Sequence, residues 1–168
     1  ELSINGHAIE ARLYAEDPAA GFLPSTGKLA YFELPRSSSH ERGKTRVETG
    51  YRKGMEVSPF YDPMIAKLIT HARTRNEAIR LLGLDCSFVT AWPVKTNAEF
   101  LWRITDDERF LAGDVDTQLL ADRAETLVPG KKPTEHALEA LSEHILEPWI
   151  EPRTPWESRA GFRLNSDP

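Results

Sequence analysis

Arg12 is the residue in this chain whose type and setting offer the clearest chemistry. It stands in the string Gly6-His7-Ala8-Ile9-Glu10-Ala11-Arg12-Leu13-Tyr14-Ala15-Glu16-Asp17-Pro18, with carboxylates at Glu10, Glu16 and Asp17. A guanidinium stays protonated and presents a planar fork of donors, which suits a carboxylate, a phosphate or an oxygen that gains negative charge during a reaction. The same spacing also describes an ion pair with one of the nearby acids. Spacing alone favours the ion pair, because most strand arginines are solvated or paired. Asp62 precedes Pro63 and an apolar run, where a carboxylate either orients an arginine or caps a turn; composition favours the turn. Arg46 and Glu48 share one face of an alternating segment, as part of a partner surface or as an exposed ion pair worth little.

No other grouping reaches further. His136 and His144 are eight apart on a predicted helix, too far for a two-ligand metal pair. Cys86 is the single cysteine, so no internal disulfide forms and a reducing compartment is expected. The sequence has no glycine-rich phosphate loop, no nucleophile elbow and no His-Glu-x-x-His. It holds no complete catalytic machine, so Arg12 would have to work with groups from elsewhere.

The elements that must position these residues follow from periodicity. In 8–14 the apolar Ile9, Ala11 and Leu13 alternate with Glu10, Arg12 and Tyr14, which predicts a half-buried strand with a polar functional face. Pro18 ends it, and 22–27 reads as a loop anchored by Phe22 and Leu23. Strands are predicted over 28–34 and 45–49, with a polar, Ser-rich surface loop at 35–44 and a turn between Gly50 and Gly54. The run 64–70 reads as a well-buried strand with Lys67 the exception. Three patterns read as capping boxes that open helices. Thr74-Arg75-Asn76-Glu77 starts one carrying Ala78, Ile79, Leu81 and Leu82, broken by Trp92-Pro93. Thr96-Asn97-Ala98-Glu99 starts one through Ile104, and Thr105-Asp106-Asp107-Glu108 one to Leu111. A further helix covers 116–125. Val128-Pro129-Gly130-Lys131-Lys132-Pro133 is a linker, and a helix over 135–146 follows. The expected fold class is α+β: a small antiparallel sheet with packed helices over 1–125, then a linker, a helix and the incomplete start of a following domain over 126–168.

Composition agrees with a globular reading. The 168 residues suffice for one domain with or without a tail, at 40% hydrophobic and 28% charged content. A net charge of −5 argues against a general binder of nucleic acid or anionic membrane. No apolar run approaches the ~20 residues of a membrane span. The start, Glu1-Leu2-Ser3-Ile4-Asn5, lacks the basic and apolar regions of a signal peptide, and a first residue other than Met suits a piece of a longer protein.

These motifs together resemble the C-terminal domain of biotin carboxylase, from the biotin-containing α subunits of acyl-CoA carboxylases. The resemblance rests on the Gly6 to Pro18 string and Phe22-Leu23-Pro24-Ser25-Thr26-Gly27. It continues through Arg46-Val47-Glu48-Thr49-Gly50, Tyr61-Asp62-Pro63-Met64-Ile65-Ala66-Lys67-Leu68-Ile69 and Val94-Lys95-Thr96-Asn97-Ala98-Glu99-Phe100-Leu101, in the family's order and spacing. The tail from Pro155-Trp156-Glu157 to Gly161-Phe162-Arg163-Leu164-Asn165 resembles the region that follows in α subunits of the propionyl-CoA and methylcrotonyl-CoA type.

The resemblance implies ATP- and bicarbonate-dependent carboxylation of biotin by a parent ligase. It makes Arg12 similar to the family arginine that faces biotin's ureido oxygen, and puts Arg46 and Asp62 at the contact between biotin carboxylase subunits. Thr117 falls at a position lining the adenine pocket. The implied cofactors are biotin, carried on another domain, and ATP with magnesium. The implied partners are the rest of the biotin carboxylase, the biotinyl carrier domain, a carboxyltransferase β subunit and a second copy in a homodimer. The implied location is bacterial cytoplasm or mitochondrial matrix. The ATP-grasp region, the general base for bicarbonate and the Met-Lys-Met biotinyl signature are missing from these residues, so this piece is expected to be inactive alone. Phe88 to Trp92 departs from a usual loop in its apolar character, which suits packing against a neighbouring domain. The remaining alternatives are the same domain from acetyl-CoA or pyruvate carboxylase, and a non-catalytic interaction or scaffold module.

Overall fold

The alternation around Arg12 folds as expected into β1 (His7–Tyr14), with Ala11 and Leu13 buried and Glu10 and Arg12 exposed. A computed structural model describes residues 3–40 and 43–130. The predicted helix over 135–146, the tail resemblance and the two helical histidines lie outside the described residues. The described residues through Pro129 form one compact unit.

After β1, Pro18 opens a 3₁₀ turn capped by the Asp17 carboxylate, and two short strands, β2 (Glu16–Asp17) and β3 (Leu23–Pro24), pair across it. The segment expected as one strand over 28–34 divides into β4 (Gly27–Lys28) and β5 (Tyr31–Glu33). The expected polar loop at 35–44 instead supplies β6 (Ser38–His40) and the start of β7 (Gly43–Glu48), because the antiparallel register Ser38↔Thr45 gives the hairpin backbone partners. Then come β8 (Glu56–Val57), which pairs β4, and the long β9 (Met64–Ala72). The main sheet is antiparallel in the order β1-β9-β7-β6, so β9 is central and β1 is an edge strand.

Burial alternates along β9 because its inner face meets the helix that follows. Leu68 and Thr70 are fully buried, and Ala66 and Ala72 nearly so. That helix is α1 (Arg75–Ser87), whose capping box forms as the sequence predicts: Thr74 Oγ1 accepts from the Glu77 amide at 3.2 Å and Glu77 accepts from the Thr74 amide at 3.0 Å. Its buried Leu82 and Cys86 pack with Ala11 and Leu68, and Ile79 on the same helix is fully buried. The helix ends at Ser87, short of Trp92-Pro93, because β10 (Thr90–Trp92) intervenes and pairs with β5. Phe88 and Trp92 stay exposed there, at 60% and 66%.

The other two boxes do not form. The cap of α2 (Ala98–Thr105) is Asn97 rather than Thr96, and Glu99 pairs with Arg103 instead of reaching back. The cap of α3 (Glu108–Ala112) is Asp107, whose carboxylate accepts from the Arg109 and Phe110 amides at 2.9 and 3.1 Å. The single helix expected over 116–125 is two short ones, α4 (Leu119–Asp122) and α5 (Ala124–Leu127). A second core joins Leu13, Leu29, Val57, Ile65 and Val94 beneath the short strands. Full burial of each such aliphatic side chain contributes roughly 1.5–3 kcal/mol. α2 approaches α1 closely because Gly83 lacks a Cβ, which would stand 2.5 Å from the Thr105 hydroxyl.

Candidate functional site

The outer face of the sheet collects the charges that the sequence singles out. Register sets them in rows: Arg12 opposes Lys67, which opposes Glu48, and Glu10 opposes Ile69, which opposes Arg46. Opposed residues in an antiparallel ladder lie on the same face. The result is a checkerboard in which Arg12 and Glu10 on β1 mirror Glu48 and Arg46 on β7 across the central strand. Arg12 Nε lies 3.2 Å from Glu10, and Arg46 Nη2 lies 3.2 Å from Glu48. Lys67 approaches Glu48 at 3.9 Å, next to a recess of about 320 Å³ lined by Glu48, Thr49, Gly50 and the start of β9.

The ion-pair reading of Arg12 is therefore realised, but in a form that leaves the guanidinium accessible. Its side chain is 59% exposed. Exposed pairs of this kind add little stability. The hydrogen bond to Glu10, then Tyr14, raises the Arg12 pKa further above its ordinary value. The group is thus a permanent cation on a strand, available to an approaching oxygen.

Asp62 is exposed in the turn before β9, where its Oδ1 accepts from the Met64 amide at 2.8 Å. Met64 opposes Tyr14, so this turn adjoins the end of the strand that carries Arg12. Glu16 belongs to the same neighbourhood: burial, then the charge of Asp62, raises its carboxyl pKa. Thr117 is exposed in the segment before α4 and is not on the sheet face. The structure thus brings Arg12 and Arg46 onto one surface, sets Asp62 beside the end of that strand and leaves Thr117 in the helical region. Among the described residues, no three His, Cys, Asp or Glu side chains form a metal-holding group.

Sequence reading passed over Asn97 as the second residue of a supposed box. It is buried, at 6% exposure, and its side chain turns away from the helix it precedes. Its Oδ1 accepts from the Tyr14 amide at 2.9 Å, and its Nδ2 donates to the Arg12 carbonyl at 3.2 Å. Nearby, Lys95 pairs with Asp17, whose carboxyl pKa is lowered by that hydrogen bond. The available signal was an asparagine at a helix start followed by an apolar turn, which specifies a cap but not a distant partner.

Fold and face together define a small α+β domain that presents a cation on an edge strand and contains no catalytic constellation of its own among the described residues. A family model for the biotin carboxylase C-terminal domain matches residues 10–122, and the chain belongs to that family. It is 39% identical over 173 residues to the mitochondrial methylcrotonoyl-CoA carboxylase subunit alpha of Dictyostelium discoideum, covering 98% of this chain and 24% of that protein. It is 40% identical over 122 residues to the biotin carboxylase of Halalkalibacterium halodurans, covering 73% of this chain and 26% of that protein. The biotin carboxylase subunit of pyruvate carboxylase superposes with a TM-score of 0.70 at 35% identity, covering 78% of this chain and 28% of that one. The chain thus spans about a quarter of the length of these relatives.

Proposed function

We propose that this domain supplies the biotin-side cation and part of the subunit contact of an ATP-dependent biotin carboxylase, within the α subunit of an acyl-CoA carboxylase. The observation that carries the reading is Arg12: a protonated, exposed guanidinium on a β-strand, with a single short-range carboxylate at Nε. When bound, biotin supplies a ureido nitrogen that accepts the carboxyl group. Arg12 would hold biotin by its ureido oxygen, the atom on which negative charge would grow as the nitrogen became nucleophilic. A fixed cation at that oxygen interacts more strongly with the developing charge than with the neutral ground state, which accelerates the step. Glu10 orients the guanidinium and is too exposed to neutralise it, at 39% for its side chain.

Nucleotide, magnesium and bicarbonate chemistry belongs, in this reading, to other parts of the parent, with Thr117 touching the adenine side. Arg46 and Asp62 face a second copy of the subunit. The biotinyl carrier domain and a carboxyltransferase β subunit complete the assembly, in bacterial cytoplasm or mitochondrial matrix. The alignment that runs through 98% of the chain supports an acyl-CoA carboxylase parent, since the relative concerned is a methylcrotonoyl-CoA carboxylase subunit alpha. The isolated chain, mixed with ATP, magnesium, bicarbonate and free biotin, is expected to give no turnover.

Arg12→Ala in the full-length parent tests the central assignment. Biotin carboxylation should fall about a hundredfold, the scale of removing one preorganised oxyanion donor. The KM for ATP should stay unchanged. Carboxylation at the parent rate would remove Arg12 from the mechanism.

A further inference from the structure

Arg12 is only as well placed as the backbone beneath it, and that backbone is exposed to loss of register. β1 is an edge strand, with β9 on one side alone. The β1–β9 ladder is regular from His7↔Ala72 to Leu13↔Ala66, then shifts so that Tyr14 opposes Met64. The irregularity begins within two residues of Arg12. The side chain is oriented by the exposed Glu10 contact alone and is not locked by packing, since it is mostly exposed.

At Arg12 and Tyr14 the open edge of β1 is met by Asn97. Asn97 takes the Arg12 carbonyl through Nδ2 at 3.2 Å, the Tyr14 amide through Oδ1 at 2.9 Å and the Tyr14 carbonyl through its own amide at 3.1 Å. A side-chain amide that donates to one carbonyl and accepts from the amide two residues on reproduces the pairing of a neighbouring parallel strand, centred on Leu13. Asn97 stands at the cap of α2, yet its side chain makes no cap hydrogen bond. The conformation forgoes a favourable local interaction to hold β1. Its mounting is firm: Ala98 and Phe100 behind it are buried, at 7% and 8%. The preceding Lys95 amide donates to Ser25 Oγ at 2.9 Å. The amide of Asn97 is itself buried, so water does not compete for its bonds.

We infer that Asn97 is a positioning residue for the biotin half-reaction, acting by clamping the Arg12 to Tyr14 backbone so that the guanidinium is aimed before biotin arrives. This rests on the reading of Arg12 given above. Displacement of a positioned group by about 1 Å can cost up to a hundredfold in rate, so loss of the clamp should be felt in one half-reaction and not in the other.

The test is a double-mutant cycle in the full-length parent subunit, with Asn97→Ala, Arg12→Ala and the pair, assayed with free biotin and, separately, for ATP turnover with bicarbonate and no biotin. Asn97→Ala is expected to lower kcat/KM for biotin about tenfold or more and to leave biotin-independent ATP turnover and the KM for ATP within about twofold. In the Arg12→Ala background the same change should have almost no further effect, because the two residues act as one unit. Asn97→Asp keeps the acceptor for the Tyr14 amide and loses the donor to the Arg12 carbonyl. Its carboxylate oxygen then faces the Arg12 carbonyl without a donor between them, so it should show a loss of the same kind at least as large, and it carries the cycle if the alanine variant does not fold. An equal fall in both half-reactions, or an undiminished effect in the Arg12→Ala background, would overturn the inference. An impaired Arg12→Ala enzyme beside an unimpaired Asn97→Ala enzyme would overturn it alone. An unimpaired Arg12→Ala enzyme would overturn the reading of Arg12 first.

Discussion

Asp85 is a carboxylate in an environment that its residue type does not prefer. It lies on α1 at 6% exposure and accepts a hydrogen bond from Thr45 Oγ1 at 2.8 Å, and it forms no salt bridge among the described residues. Burial raises its carboxyl pKa, and the Thr45 hydroxyl only partly opposes that. A folded-state pKa above the unfolded one means that the native state binds more protons across that window, so this group's contribution falls as pH rises through it. The deficit is complete once the pH has passed the raised folded value. Asp85→Asn keeps an acceptor for Thr45 and removes the charge. It should raise the Tm by a few degrees at pH 7, and the advantage should vanish as the pH falls below the unfolded carboxyl range, followed by thermal unfolding at several pH values. Its neighbour Cys86 is buried and its thiol is pushed up to about 12, so it is an inert core residue rather than a nucleophile. The sequence showed one cysteine; only packing decided that it is unreactive. Arg12 shows the opposite case, since its type and alternation placed it on the polar face directly from sequence.

Among the elements, three similar Thr-x-x-Glu patterns ended differently. The first caps α1 with both reciprocal bonds. At the second, Asn97 takes the cap position and Thr96 makes only a marginal contact to the Ala98 amide at 3.4 Å. At the third, Asp107 caps instead, held by the amides it receives and by Arg123 at 2.9 Å. A box is a local pattern, and a neighbouring Asn or Asp competes for the same place with equal intrinsic preference. Thr74→Ala should therefore cost about 1 kcal/mol, read as a lower urea midpoint at constant m-value. Thr96→Ala should cost far less in the same measurement, because no cap is lost. The strand expected over 28–34 divided for a related reason. Two separate partners, β8 and β10, claim its two ends, and no local periodicity names them.

For the whole molecule, the sheet order β1-β9-β7-β6 places Arg12 and Arg46 on one surface although they are far apart in sequence. Arg46 is 69% exposed and pairs with Glu48 along its own strand, a contact that adds little to this domain. Its proposed role lies between subunits. Arg46→Glu would set a carboxylate beside Glu48 and weaken the parent dimer by at least about tenfold in dissociation constant, close to 1.4 kcal/mol. Sedimentation velocity across a concentration series checks this, and an unaltered dimer would assign the surface elsewhere. Domain stability should change little, since the side chain is mostly exposed.

By itself the sequence determined the strand around Arg12, the buried run of β9, the box of α1 and the α+β class. Each depends on residues within a few positions, where periodicity and capping act directly. Ordered motifs also made the family legible. Tertiary structure alone decided which strands became neighbours, that β1 lies at an edge, and that Asn97 gives up its cap to hold the backbone of Arg12 and Tyr14. Asn97 is far from that strand in sequence. A side-chain amide serves a helix cap or a strand edge equally well, so its choice is settled only when folding brings one of them within hydrogen-bond reach.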